Sequence, residues 1–167
     1  MLLLYNIFLL IVMLVYAPML FLSIHRSKQE QWQERFGYID KEIIKRFRNQ
    51  KVIWAHGASV GETVIGKQIV DELNKEYPEH FILFSTVTAT GKKVAQESLK
   101  NVGAVIYLPL DLSWVVKRVV SLFKPELLIL IETELWPNLI TQVHRNRGRI
   151  IVASGRIGDK SFKNYSY

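Results

Sequence analysis

Two glutamates stand where a carboxylate could take part in chemistry. Glu62 lies in the segment HGASVGET, just after a short apolar run, and Glu132 opens the segment ETELWPN at the end of another. A carboxylate at the end of a buried strand is costly unless it is paired or functional. Glu62 could accept a proton from a substrate hydroxyl, as a general base does. Glu132 beside it would resemble the second member of an acid/base pair, although the spacing leaves their distance open.

Both segments also fit ordinary helix starts. Ser59 and Glu62 have the spacing of a capping box, in which each side chain bonds the other's backbone amide. Thr133 is a good N-cap, and Glu134 suits the first turn of the next helix. A tryptophan such as Trp136 more often packs against the protein than binds a ligand. The capping and catalytic readings of Glu62 are compatible with each other.

A third segment, STVTATGKK, could hold an anion. It places threonine hydroxyls and a glycine ahead of two lysines, in the order Thr86, Thr88, Thr90, Gly91, Lys92 and Lys93. Hydroxyls, a helix N-terminus and ammonium groups suit a phosphate. The alternative is a helix capped by Thr90 and followed by a solvated lysine pair.

Other chemistries are disfavoured. Gly61, Gly66 and Lys67 match most of a P-loop, but Gln68 replaces the Ser or Thr that would hold magnesium, and the intervening residues are helical in pattern. The chain has no cysteine, which excludes disulfides and thiolate sites. It has no Asp-x-Asp metal motif, and we expect no metal and no cofactor.

The elements that must position these residues alternate between apolar runs and helix-period segments. We predict strands over 52–55, 81–87, 104–108, 127–131 and 150–153, and helices over 61–77, 90–100, 113–123 and 135–146. Continuous Val, Ile and Leu strands alternating with helices indicate an α/β fold, a Rossmann-like parallel sheet with helices on both faces. Ligands of such sheets bind beyond the carboxyl ends of the strands. We name the loops there the first (56–61), second (85–91), third (109–112) and fourth (132–138).

The amino-terminal segment predicts a membrane helix. Residues 2–22 carry no charge and would reach about 30 Å as a helix, the thickness of a bilayer core. We assign residues 1–22 to a membrane anchor, spanning or at depth, because a cleavage site is lacking and buried core helices are rarely so apolar. Arg26 and Lys28 then place the rest of the chain in the cytoplasm.

Residues 23–50 form a basic amphipathic segment, in a chain of formal net charge +7 and pI near 9.6. Aromatic and aliphatic side chains alternate there with lysines and arginines. The pattern suits anionic lipid headgroups, or else a solvated helix with an ordinary apolar face. Nucleic acid is disfavoured because no recognition module is present.

The segments HGASVGE, STVTATG, YLPLD and ETELWPN, in this order and followed by a Gly-Arg, resemble the amino-terminal half of the 3-deoxy-D-manno-octulosonic acid (Kdo) transferases. These enzymes build the inner core of lipopolysaccharide. The resemblance runs from the apolar segment through Arg35-Phe36-Gly37 to about Ser161. The chain departs at Ser154-Gly155-Arg156-Ile157-Gly158, where the family often has Asn-Ala-Arg-Leu-Ser.

The resemblance implies that residues 51–167 are the acceptor-binding domain of a GT-B glycosyltransferase. A carboxy-terminal domain, absent from this sequence, would bind the donor CMP-Kdo. Glu62 would be the general base of an inverting transfer to a lipid A precursor, and Glu132 would stabilise the transition state. The expected acceptor-binding residues are Ser59, Gly61, Thr86, Thr88, Thr90, Gly91, Glu134 and Arg156.

We therefore expect a glycosyltransferase of the bacterial inner membrane, with its soluble region facing the cytoplasm. Its partners would be the membrane, a lipid A precursor and, through the absent domain, CMP-Kdo, but not nucleic acid. The 167 residues alone are expected not to complete the reaction. The alternative is a non-catalytic, membrane-anchored module that binds an anionic lipid or a protein.

Overall fold

The structure, a computed structural model, describes the backbone of residues 2–26, 29–48 and 50–155 and the side chains of 2–15, 31–48 and 50–155. Three helices come first: α1 Leu2–Arg26, α2 Gln29–Arg35 and α3 Lys41–Phe47. Strands and helices then alternate as β1 Lys51–His56, α4 Val60–Glu76, β2 His80–Thr86, α5 Ala89–Ser98, β3 Ala104–Tyr107, α6 Ser113–Phe123, β4 Leu127–Ile131, α7 Pro137–Arg145 and β5 Arg149–Ala153. The predicted strands and helices from residue 51 onward are confirmed to within two residues.

The five strands form one parallel sheet in the order β3-β2-β1-β4-β5. The chain builds the sheet outward from β1 to β3, then crosses back so that β4 pairs with the other side of β1. The carboxyl ends of β1 and β4 are thus neighbours, with His56 opposite Leu130. Such a reversal of strand order opens a crevice for ligands.

The sheet is buried on both faces. In β1, Val52 and Trp54 belong to a core formed with α3, α6 and α7. Ile53 and Ala55 alternate with them and belong to a second core formed with α4 and α5. This alternation is the period of two that a strand imposes, and it confirms the predicted helices on both faces.

The first helix is present, but it meets the domain through polar contacts. The Tyr5 hydroxyl donates to Asp111 Oδ2 at 2.9 Å, and the Asn6 and Asn138 amides bond each other at 3.0 and 3.2 Å. Within the described parts of the chain, none of the helices combines the length and apolar character needed to cross a bilayer. The prediction of a membrane-spanning helix over residues 1–22 is therefore not supported.

The basic segment over residues 23–50 is part of the fold. Phe47 of α3 is buried in the first core, and Ile43 and Ile44 pack against it. The exposed side chains of this stretch include Lys41, Lys45, Arg46 and Arg48. The apolar face of α3 therefore packs on the sheet. Contact of the exposed basic side chains with anionic headgroups stays a prediction.

Helix α7 receives its cap from another part of the chain. Its own N-cap residue, Trp136, makes no side-chain cap bond. Asp111 of the third loop supplies one, accepting the N–H of Asn138 at Oδ2 (3.0 Å) and of Leu139 at Oδ1 (2.9 Å). Burial raises the pKa of Asp111, which these hydrogen bonds partly offset. The carboxylate thereby ties the third loop to the fourth.

We expect Asp111→Asn to lower the free energy of unfolding by about 1–2 kcal/mol, the usual cost of losing a helix cap. An amide has one acceptor oxygen, and its NH₂ would face a backbone N–H. The check is the melting temperature beside that of Asp71→Asn, which changes an exposed carboxylate paired with Lys67 and should have little effect. Equal melting temperatures for the two variants would contradict the capping role.

Candidate active site

The four predicted loops meet at one edge of the sheet. Gly57 N–H donates to the Ser85 carbonyl at 3.0 Å, and the Thr86 hydroxyl donates to the Ala58 carbonyl at 3.1 Å, which joins the first loop to the second. Asp111 joins the third to the fourth. Each loop follows a strand of the same parallel sheet, so each emerges on the same side.

Glu62 occupies the first turn of α4 and is 7% exposed. Its Oε2 accepts the Ala58 N–H at 2.6 Å, and its Oε1 accepts the Ser59 hydroxyl at 2.8 Å. Ser59 Oγ in turn accepts the Glu62 N–H at 3.3 Å. The predicted capping box is confirmed, except that the Glu62 carboxylate accepts the backbone N–H of Ala58 instead of that of the N-cap residue Ser59. The role of Glu62 as a base stays a prediction.

Glu132 has a strained backbone. It follows β4 with φ at 62°, in the left-handed region, and its N–H donates to the Ala153 carbonyl at 2.8 Å. This conformation costs a residue other than glycine about 1–3 kcal/mol, and such strain clusters at functional sites. The half-buried carboxylate is thus held at the carboxyl end of β4.

Three carboxylates share this edge. Burial raises the pKa of Glu134, and the negative charges of Glu62 and Glu132 raise it further. The reversal of strand order therefore brings together the two predicted catalytic glutamates and Glu134. Among the described residues, no group of three His, Cys, Asp or Glu side chains is arranged to hold a metal ion. A cluster of this kind can accept and retain a proton.

The second loop is built differently from the prediction. Thr88, rather than Thr90, caps α5 by accepting the Gly91 N–H at 3.0 Å. Thr90 lies inside the helix because α5 begins one residue earlier. A Cβ on Gly91 would lie 2.5 Å from Thr86 Oγ1 and 2.9 Å from Thr88 Oγ1. This close approach requires glycine, and it shows that these hydroxyls have structural contacts.

Lys92 does not belong to a solvated lysine pair. Its Nζ lies 2.5 Å from Glu34 of α2, and the two side chains are only 14% and 17% exposed. The Tyr107 ring has Lys92 Nζ and the Arg35 guanidinium each 4.4 Å from its centre. Because Glu34 neutralises Lys92, its charge is not free for a bound anion. Lys93 is exposed.

The remaining predicted site residues lie at the rim or outside the described region. Ser59 and Gly61 are exposed at the start of α4, beside Glu62. Arg156 lies outside the described residues, so its predicted role in acceptor binding stays a prediction.

Sequence reasoning missed His56, the last residue of β1. The side chain is fully buried, its Nε2 accepts the Trp136 Nε1–H at 3.2 Å, and its Nδ1 lies 2.9 Å from Ser85 Oγ. Burial lowers the pKa of His56 to about 4. The ring is therefore neutral, with its proton on Nδ1. The signals were a histidine at a strand end and a tryptophan in the fourth loop, with no local pattern to link them.

We expect the protein to lose stability in mild acid through His56. The pKa is about 4 in the folded state and about 6.5 when unfolded, so the unfolded chain binds a proton that the folded one does not. The contribution of the neutral His56 ring to the free energy of unfolding is complete above pH 6.5. It is lost as the pH falls toward 4, and the whole loss is on the order of 3 kcal/mol. The free energy of unfolding, measured with denaturant between pH 7 and 4.5, should depend steeply on pH in the parent and less steeply in His56→Gln.

His144→Gln is the control because it changes an exposed histidine, and it should keep the pH dependence of the parent. If His56→Gln also kept that pH dependence, the assignment to His56 would be contradicted.

Comparison with known proteins identifies the family to which the sequence is similar. Residues 30–167 match the model of the family described as 3-deoxy-D-manno-octulosonic-acid transferase (kdotransferase). The chain is 30% identical to the 3-deoxy-D-manno-octulosonic acid transferase of Chlamydia trachomatis over 167 residues, 98% of this chain and 38% of that protein. It is 36% identical to the Haemophilus influenzae transferase over 113 residues, 68% of this chain and 26% of that protein. For the Rickettsia bellii transferase the identity is 32% over 153 residues, 90% of this chain and 35% of that protein.

The chain spans less than two fifths of the length of these relatives. The matched residues include every strand of the sheet and each of the four loops that meet at its edge. The carboxylate cluster thus lies within the region that the family model covers. By this match the chain belongs to the 3-deoxy-D-manno-octulosonic acid transferase family.

Proposed function

We propose that this chain is the amino-terminal, acceptor-binding part of an enzyme that transfers Kdo from CMP-Kdo to a lipid A precursor. Membership of the family supports Kdo transfer in general. The observation that carries the proposal is the cluster of Glu62, Glu132 and Glu134 where β1 and β4 adjoin. A glycosyl transfer needs a base for the acceptor hydroxyl and negative charge near the sugar, and carboxylates are suited to both tasks.

Glu62 is the proposed base. Each of its carboxylate oxygens accepts one hydrogen bond and keeps a second lone pair for a substrate proton. The acceptor oxygen would attack the anomeric carbon of Kdo with inversion as its proton passes to Glu62. The bond from that carbon to the phosphate oxygen of CMP breaks, and its electron pair leaves with CMP.

Glu132 is the proposed stabiliser of the transition state. Positive charge develops on the sugar ring as CMP departs, and a fixed carboxylate lowers the energy of that state more than that of the neutral ground state. Its backbone is held by the strand and by the bond to Ala153. Glu134, whose pKa is raised, is proposed to bind an acceptor hydroxyl.

The acceptor is proposed to lie along the rim of the first and second loops. Ser59, Gly61, Thr88 and Thr90 are exposed there, while the internal contacts of Thr86 and Gly91 make them supports. CMP-Kdo would bind a second Rossmann-like domain facing this edge, as in the GT-B arrangement, and the complete enzyme would supply that domain.

The proposed location is the cytoplasmic face of the bacterial inner membrane. Apolar side chains of α1 are exposed, among them Leu3 (72%), Leu4 (71%), Phe8 (61%) and Leu14 (75%). Leu135 of the fourth loop is 60% exposed beside the carboxylates. These side chains support contact with a lipid surface from which the acceptor would be drawn.

The test is an assay of the full-length gene product with CMP-Kdo and a lipid A precursor in detergent micelles. We expect mass spectrometry to show Kdo added to the acceptor and CMP released, and the 167-residue chain alone to give no product. Acceptor binding without transfer by the full-length protein would favour a non-catalytic lipid-binding module.

A further inference from the structure

One hydrogen bond joins the first and fourth loops beside the carboxylates. The Trp136 indole N–H donates to His56 Nε2 at 3.2 Å. The two rings meet edge to face, with centres 6.2 Å apart and an interplanar angle of 76°. His56 ends β1, six residues before Glu62, while Trp136 lies two residues after Glu134 and four after Glu132.

The other ring nitrogen of His56 contacts the neighbouring strand. His56 Nδ1 lies 3.1 Å from the Ser85 carbonyl oxygen and 2.9 Å from Ser85 Oγ, which also accepts the Trp54 indole N–H at 2.8 Å. Trp54, His56 and Ser85 are fully buried on adjacent strands of the sheet. The bond to Trp136 thus extends a chain of hydrogen bonds anchored in the core.

The fourth loop is attached to the domain at its two ends and through Trp136, which packs against the first core. At its start, Glu132 N–H bonds Ala153, and at its end Asp111 holds the N-terminus of α7. Between them Leu135 is largely exposed. Trp136 is half-buried, and its indole bond attaches the loop to the strand that leads to Glu62.

The loop also works against electrostatic repulsion. Glu62, Glu132 and Glu134 repel one another when their carboxylates are ionised, and moving the fourth loop outward would reduce this repulsion. A neutral, buried acceptor such as His56 can resist this movement because the indole donor would otherwise lose a hydrogen bond in a partly dry site.

We propose that the His56–Trp136 hydrogen bond positions the fourth loop for catalysis by setting the separation between Glu62 and the pair Glu132 and Glu134. The inference rests on the proposed function. His56 and Trp136 are positioning residues, since they act through the carboxylates. A displacement of about 1 Å at such a site can cost on the order of a hundredfold in rate.

The test variant is Trp136→Phe in the full-length enzyme, which keeps an aromatic ring and removes the donor. We expect kcat to fall about tenfold to a hundredfold, with KM for the lipid acceptor changed less than about threefold and the folded fraction at assay temperature unchanged. Trp114→Phe is the matched control because Trp114 is 50% exposed on α6, and it should match the parent.

A double-mutant cycle separates positioning from simple stability. If Trp136 acts through the carboxylates, adding Trp136→Phe to Glu62→Gln should lower kcat little further. The reason is that the alignment of Glu62 no longer affects the rate once its carboxylate is gone. Additive losses in the cycle, parental kcat in Trp136→Phe, or a kcat loss equal to the loss of folded protein would each overturn the proposal. An inactive parent enzyme would instead refute the proposed function.

The hydrogen bond can also be observed without turnover. The chain has four tryptophans, and the indole resonance that vanishes in Trp136→Phe identifies Trp136 in ¹H–¹⁵N spectra of the full-length protein. We expect His56→Gln to shift this resonance and His144→Gln to leave it in place. An indole signal insensitive to His56→Gln would refute the bond.

Discussion

Glu62→Gln in the full-length enzyme should fold like the parent and lose turnover by a hundredfold or more, the usual scale of general base catalysis. The glutamine oxygen can accept the Ala58 N–H, and its NH₂ can donate to Ser59 Oγ, so both capping contacts can form, the one to Ser59 with donor and acceptor exchanged. The lost element is the carboxylate lone pair that would take the proton. The measurements are single-turnover rate and melting temperature on the same preparation.

Glu62→Ala is the companion variant. It should lose turnover to the same degree and also lose stability, on the order of 1 kcal/mol, because Ala58 N–H and Ser59 Oγ lose their partner. Lys67→Met, which changes an exposed residue of the same helix, should keep the parental rate. Full activity in Glu62→Gln would refute the base and leave only the capping role.

Glu132→Gln should depress kcat by about a hundredfold or more while leaving acceptor affinity nearly intact, since the fixed charge acts on the transition state. Removing this charge also removes one of the two that raise the pKa of Glu134. Glu134→Gln should be milder, because its proposed contact is with the bound acceptor. Rates per folded molecule and acceptor affinities measured on both variants check this order.

The strained backbone at Glu132 makes a second substitution informative. Glu132→Gly removes the carboxylate but suits φ at 62°, so it should be at least as stable as Glu132→Gln. Loss of turnover without loss of stability in Glu132→Gly is the signature of strain retained for function. Parental turnover per folded molecule in either variant would remove Glu132 from the catalytic residues.

Much of the fold could be predicted from the sequence because its signals are local. The apolar runs and helix-period segments lie within a few residues of each other, and they placed the strands and helices from β1 onward. The Ser59 and Glu62 capping box is likewise local, spanning three residues. The prediction of Thr90 as the N-cap of α5 was wrong because two threonines in the segment have equivalent hydroxyls. In the structure it is Thr88 that accepts the Gly91 N–H.

The contacts of the first helix could not be predicted from the sequence for a related reason. Hydropathy averages over a segment and takes no account of partners elsewhere. Tyr5 and Asn6 find theirs in Asp111 and Asn138, more than 100 residues away. The same holds for Lys92, whose partner Glu34 lies 58 residues earlier. No spacing rule reaches such distances.

The sequence by itself determined the alternation of strands and helices, the loops at the carboxyl ends and the motifs by which the chain resembles its family. Only the tertiary structure decided which loops adjoin. The order β3-β2-β1-β4-β5 sets β4 beside β1 and so gathers Glu62, Glu132 and Glu134. It also brings Trp136 to His56 across 80 residues. The physical reason is that hydrophobic patterning specifies which faces are buried, whereas strand order and buried hydrogen bonds depend on packing the whole chain.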